Sequence, residues 1–264
     1  MYSSKKVLLI AGGGTLGTHV SNELLRLGAS VDIIYPEEKI SAHPRLRFYR
    51  GFVSREMLDD LFSKNHYDGI VDFIHYKDPE EYKRSYEHLI KNTDHLIFLS
   101  SYRVYAETNE KITEESPRLY DVETDKEFLA KENYAIPKSI CEDYLRTQRS
   151  GEPWTIVRPV ISFSSTRLDL LLYSGTEVLR AVEANKPLLL PKTVKNNGAG
   201  IDWAGNSGKL IANLLFKPHT FGETYTVYSN HGATWGDIAK AYEEVTGVEI
   251  VWGGRGRIRC HASL

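Results

Sequence analysis

Short continuous apolar runs alternate with amphipathic stripes through the first 160 positions. Val7-Leu8-Leu9-Ile10-Ala11 is apolar throughout, the mark of a parallel strand buried on both faces. Leu16, Val20, Leu24 and Leu27 then recur at helical spacing, and Gly28 is placed to stop that helix. Further strands are predicted at 31–35, 46–49, 69–74, 95–99 and 154–158, with helices near 54–64, 79–91 and from Asn133 or Tyr134 to about Arg149. Beyond residue 160 the pattern loosens. It predicts helices at 176–184, 206–215 and 235–245 and a strand at 224–228, with Thr234 capping the last helix and Gly247 ending it.

Regular alternation of strand and helix predicts an α/β fold, a doubly wound parallel sheet (Rossmann-type) over residues 1–160. Residues 161–252 are expected to form a small C-terminal α/β substrate lobe interleaved with the main domain, and 253–264, which lack apolar periodicity, a disordered tail. Ligands of such sheets bind beyond the carboxyl ends of the strands. The turn after the first strand, Ser101 and Arg158-Pro159 all fall at such ends, so they converge on one crevice.

Gly12-x-Gly14-x-x-Gly17 joins the first strand to the first helix. In a dinucleotide-binding turn the first glycine allows the tight bend, the second lets pyrophosphate approach the backbone and the third lets the helix pack on the strand. The phosphate then sits on the helix N-terminus, where free N–H groups and the dipole favour an anion. Gly12, Gly14, Thr15, Leu16 and Gly17 are therefore candidate cofactor-binding residues. The acid expected at the end of the second strand is replaced by Tyr35, and Asp32 comes three residues early. Glu37 or Glu38 could reach a ribose hydroxyl, which suits NAD; Lys39 could meet a 2′-phosphate, which suits NADP; all four also read as ordinary surface residues. NAD is the expected cofactor, with NADP left open.

Tyr134-Ala135-Ile136-Pro137-Lys138 is a Tyr-x-x-x-Lys, a spacing that puts two side chains on one face of a helix. Tyr2/Lys6 and Tyr35/Lys39 match the same pattern, so order and context select Tyr134: a strand, a serine and then a helix, all after a nucleotide-binding turn. An ammonium beside a phenol favours the phenolate. Such a tyrosine can take a proton from a hydroxyl or return one to a ketone. Ser101 alone reads as a strand-end serine bonding its own backbone; paired with Tyr134 it reads as catalytic. His75 falls near the crevice by topology and reads as a packed or solvated residue.

The 264 residues carry a net charge of −2, which gives no electrostatic reason to expect nucleic acid or an anionic membrane as partner. No apolar run approaches the roughly 20 residues of a membrane-spanning helix, and Met1 to Lys6 leads straight into a strand. Cys141 and Cys260 can build no disulfide framework and lack metal-site spacing, so no metal is expected and a cytoplasmic location fits best.

With these residues in place, roughly residues 5–250 of the chain resemble the extended short-chain dehydrogenase/reductase family, the NAD-dependent epimerase/dehydratase group. The resemblance rests on Gly12-x-Gly14-x-x-Gly17, Ser100-Ser101-x-x-Val104-Tyr105, Tyr134-x-x-x-Lys138, Arg158-Pro159 and Gly222-Glu223-Thr224-Tyr225-Thr226-Val227. It implies Ser101 as catalytic serine, Tyr134 as acid/base, and Lys138 as the residue that holds the nicotinamide ribose and favours the phenolate. It places Tyr35, Ile74 and Pro159 along the cofactor. The activity it implies is an NAD(P)-dependent epimerase acting on a nucleotide-activated sugar through transient hydride transfer. A reductase of a sugar-nucleotide ketone or other small carbonyl is one alternative, and a non-catalytic NAD(P)-binding regulator another. Relatives often dimerise through two helices, here 79–91 and the Tyr134 helix, so a homodimer is a further expectation. Three departures stand out. Tyr102 and Arg103 replace the acidic pair of the 4,6-dehydratases, which argues against dehydration. Phe52 replaces an adenine-contacting Asp, and Ile74 and His75 replace small residues and would crowd the cofactor.

Overall fold

The computed structural model describes residues 2–108, 110–148, 151–171 and 173–253. The expected tail beyond Gly253, with Cys260, and the expected helix end at Arg149 lie outside the described residues. The first half alternates as predicted: β1 (Lys6–Ile10), α1 (Thr15–Leu27), β2 (Ser30–Tyr35), β3 (Leu46–Arg50), α2 (Arg55–Lys64), β4 (Gly69–Asp72), α3 (Pro79–Leu89) and β5 (Leu96–Leu99). Two short helices, α4 (Leu119–Val122) and α5 (Lys126–Lys131), precede α6 (Ala135–Arg146) and β6 (Trp154–Pro159). Then come β7 (Ile161–Phe163), α7 (Gly175–Glu183), β8 (Leu188–Leu190), β9 (Ile201–Trp203), α8 (Ala204–Leu214), β10 (Glu223–Val227), α9 (Trp235–Thr246) and β11 (Ile250–Trp252).

Seven strands form one sheet in the order β10-β6-β5-β4-β1-β2-β3, and every pairing is parallel. Because side chains alternate across a strand, β1 divides its apolar run between two cores. Leu8 and Ile10 join Leu58 and Leu61 of α2, Tyr82 and Tyr86 of α3 and Leu145 of α6. Val7 and Leu9 join Val20 and Leu24 of α1 and Ile211 of α8 on the other face. Gly208 lets α8 close on α1, since a Cβ there would lie 2.7 Å from the backbone of His19.

The 161–252 stretch divides its elements. β10 pairs with β6 as a seventh strand of the main sheet and α8 covers that sheet. Leu170, Val178, Leu188, Leu190, Ala239, Val248 and Ile250 make a separate small core around α7, α9 and the two-stranded β8–β11 sheet. The Thr234 side chain closes a capping box with Asp237, and Gly247 takes φ 71° at the other end of α9.

Two expectations change. The fourth strand stops at Asp72 rather than residue 74, because the Asp72 carboxylate accepts from Ile74 N at 3.0 Å and Tyr76 Oη at 2.8 Å and turns the chain. Tyr134 is the residue before α6, with φ −120° and ψ −60°, so Lys138 is helical and Tyr134 is not. On α3, Tyr82 and Tyr86 are buried in the main core with Phe98.

Candidate active site

The strand order reverses around β1, and the glycine turn sits at its carboxyl end, where such sheets bind ligands. The glycines divide their labour differently from the sequence expectation. The left-handed residue of the tight turn is Ala11, with φ 56°; Gly12 is needed because a Cβ there would lie 2.5 Å from the Leu9 Cβ. A Cβ on Gly17 would fall 2.0 Å from the Gly12 carbonyl oxygen, so Gly17 lets α1 close on the turn. Gly14 precedes α1 without a side-chain cap, and a Cβ there would meet nothing within 4 Å. An uncapped helix N-terminus behind an open glycine fits a dinucleotide pyrophosphate, which would lie against Gly14 and the first residues of α1, Thr15 and Leu16.

Gly13 carries no motif role, yet the Tyr35 ring occupies the space of its missing Cβ, with ring carbon Cγ 2.1 Å from it. Lys39 donates to the Gly13 carbonyl and lies 5.0 Å from the Tyr35 ring centroid. The residue in the expected acid's place thus closes the outer side of the turn.

The second group gathers around Tyr134. Glu132 Oε1 accepts from Tyr134 N at 2.8 Å and Ala135 N at 2.9 Å, capping the start of α6. The Arg103 guanidinium stands 4.8 Å from the Tyr134 ring centroid. The His75 ring lies 4.8 Å from it at an interplanar angle of 33°. Lys138 is buried; its Nζ donates to the Leu99 carbonyl at 2.5 Å and stands 5.6 Å from the Tyr134 ring centroid. Ser101 is buried on the turn that carries Arg103, and its hydroxyl accepts from Arg103 N at 3.2 Å.

Burial sets the electrostatics. It pushes Lys138 down to about 8, while the nearby Asp72 supports the charged form. Burial likewise pushes Asp72 up to about 6, against the Ile74 amide, the Tyr76 hydroxyl and Lys138. His75 is held below its ordinary value by burial first, then by Lys138, Lys77 and Arg103, so its ring is neutral near pH 7. At the end of β6, Arg158 is buried with Glu142, at 2.9 and 2.6 Å, and its guanidinium covers the Tyr105 ring at 4.7 Å. Pro159 is buried and paired with Val227 of β10.

Ile74 lines a cavity of about 310 Å³ with Ile10, Val53, Leu58 and Tyr76, so it borders open space rather than filling it. Phe52 is 84% exposed. Among the described residues one trio, His66, Asp68 and Asp94, brings three ligand atoms within 4.8 Å of one another, with Lys5 already on Asp68 at 2.7 Å. No helix among the described residues is long and apolar enough to cross a membrane.

Sequence reasoning named Tyr134, Lys138, Ser101 and the glycines. It missed Arg103 and Glu132 as neighbours of Tyr134, and it set His75 aside. Glu132 had a legible signal, an acid just ahead of a helix start; the other two depend on where β4 and β5 end.

No protein-family profile matches the chain, and no curated protein does. Solved structures match closely in shape. Epimerase Mth375 from Methanothermobacter thermautotrophicus superposes with a TM-score of 0.74 at 15% identity, covering 98% of this chain and 83% of that one. UDP-glucose 4-epimerase of Thermus thermophilus, solved with NAD, gives 0.66 at 19% identity, covering 93% and 85%. WbmH of Bordetella bronchiseptica, solved with NAD⁺, gives 0.68 at 19%, covering 96% and 86%. The chain has the Rossmann-type fold of these epimerases, the fold that the resemblance in its motifs implies.

Proposed function

We propose that the protein is an NAD(P)-dependent epimerase acting on a nucleotide-activated sugar in the cytoplasm. The observation that carries this reading is Tyr134, set before α6, with the His75 ring and the Arg103 guanidinium each 4.8 Å from its ring centroid and the Lys138 ammonium 5.6 Å from it. The fold shared with solved epimerases supports it, two of them solved with NAD and one, from Thermotoga maritima, with UDP-glucose. A free, buried Cys141 fits a reducing compartment.

A nicotinamide dinucleotide bound at the glycine turn would supply the hydride acceptor and donor. The chain's own residues supply the rest. The Gly14 opening and the N-terminus of α1 hold the phosphates. Tyr134, acting as its phenolate, takes a proton from a sugar hydroxyl, and the phenol so formed later returns it to the ketone oxygen. Lys138 and Arg103 bring two cationic side chains to the Tyr134 ring, 5.6 and 4.8 Å from its centroid. Ser101, on the turn after β5, is the candidate donor to the substrate oxygen.

The test is mass spectrometry of the supernatant from freshly denatured protein, followed by assays of Tyr134→Phe. Retained NAD(H), and a variant that still binds NAD but converts no sugar nucleotide, are the expected results. Freely exchanged NADPH would turn the reading toward a reductase. A protein that binds neither dinucleotide by calorimetry would overturn it.

A further inference from the structure

We propose that His75 is a ligand-binding residue of this site, whose Nδ1 accepts a hydrogen bond from a hydroxyl of the bound dinucleotide or sugar. The inference rests on the function proposed above, because both of those ligands are polyols. It starts from tautomer logic. His75 Nε2 lies 3.0 Å from the Asn133 carbonyl oxygen. A carbonyl can only accept, so Nε2 carries the proton, and a neutral imidazole then has a bare lone pair on Nδ1. That Nδ1 is buried and meets no donor among the described residues. Buried acceptors are nearly always satisfied, so an unsatisfied one calls for a ligand or a special role.

Position separates His75 from the other buried polar atoms without partners. The Tyr82 hydroxyl and Trp154 Nε1 belong to residues of the main core, Ser207 lies on α8, and the Ser100 hydroxyl, at the end of β5, faces the buried Glu142 carboxylate. His75 comes three residues after Asp72, on a segment tied to β1 by Phe73 N donating to the Ile10 carbonyl at 3.0 Å. One end of the segment therefore runs beside the glycine turn, and the other carries a ring laid against Tyr134 at 4.8 Å. His75 links the cofactor turn to the proton-transfer residue. Burial first, and then the nearby Lys138, Lys77 and Arg103, keep its ring neutral, which leaves the lone pair available.

Two variants separate hydrogen bonding from packing. His75→Phe keeps a flat ring against Tyr134 and loses the acceptor. His75→Asn loses the ring and can place an amide oxygen near the position of Nδ1. The probes are NAD alone, and UDP-glucose with NAD present, both by calorimetry. His75→Phe is expected to weaken one probe about five- to tenfold, the range of a single lost hydrogen bond, with His75→Asn within about twofold of wild type. Weakened NAD binding assigns the hydroxyl to the cofactor; weakened UDP-glucose binding alone assigns it to the sugar nucleotide. Nitrogen NMR of wild-type His75 adds a check that needs no variant, since Nδ1 should be unprotonated without ligand and shift when the probe saturates.

A His75→Phe protein that binds both probes as wild type does, or a His75→Asn protein that is the weaker of the two, overturns this inference alone. So does an Nδ1 signal unchanged by ligand. A wild-type protein that binds neither probe overturns the proposed function and this inference together.

Discussion

Arg103 bridges two segments that are remote in sequence: its guanidinium stands 4.8 Å from the Tyr134 ring centroid, and its Nη2 lies 3.6 Å from Glu132, the residue that caps the start of α6. The turn after β5 is thereby fastened to the residue proposed to move the proton. Arg103→Leu is expected to lower kcat roughly tenfold, a little over 1 kcal/mol, in keeping with a partly exposed cation–π contact. KM should change little, and Arg103→Lys should recover part of the rate. Steady-state kinetics of both variants decide it; an unchanged kcat would detach Arg103 from the chemistry.

Lys138 couples pH to both rate and stability. Its ammonium loses its proton near pH 8 in the fold, because burial lowers it from 10.5. The rate should therefore fall as pH rises through about 8. Stability runs the other way. A base whose value is depressed on folding contributes stability that is full above 10.5 and is lost as pH falls through 8. At pH 7 the charged, buried Lys138 is a cost to the fold. Lys138→Met should accordingly be inactive yet melt at or above the wild-type Tm at pH 7, a trade of stability for function.

His95 is the buried acid sensor of the fold. Its Nδ1 accepts from Phe216 N at 3.1 Å, and Nε2 meets the Thr155 hydroxyl at 2.8 Å. Burial lowers it from 6.5 to about 4, so its contribution is intact above pH 6.5 and is lost as pH falls toward 4. The full loss is on the order of 3 kcal/mol. Urea melts at pH 7, 5.5 and 4.5 should show this slope in the wild type and a shallower one in His95→Gln.

Glu142 and Arg158 are buried together, with Arg118 also within 3.5 Å of the carboxylate. Breaking such a pair from one side strands a charge. Glu142→Gln is expected to cost about 3–5 kcal/mol of unfolding free energy. The midpoint of a urea titration measures it, and a loss below 1 kcal/mol would mean that solvent reaches Arg158.

The main sheet was legible because its strands are long enough to carry a pattern. Val7–Ala11 and 31–35 announce buried strands, and Thr234, Gly28 and Gly247 mark helix ends that the structure uses. β7, β8, β9 and β11 have three residues each, too few for any period to show. In the site, the glycine spacing and Tyr134-x-x-x-Lys138 were visible because they are local. The contact of His75 with Tyr134 was not, because it depends on β4 ending at Asp72, where one carboxylate captures two donors. The left-handed Ala11 was equally hidden: only glycine adopts φ 56° cheaply, so the sequence pointed to its neighbour.

β10 also has a consequence for how the protein is made. The free edge of β6 is closed only by Glu223–Val227, the whole 161–222 stretch later in the chain. On a ribosome, which releases the N-terminal part first, β6 must wait with its hydrogen-bonding edge open while that stretch is translated. An exposed strand edge is a template for pairing with other chains. The nascent protein is therefore most prone to aggregate after β6 has emerged and before β10 has, the interval in which a chaperone would have the most to protect.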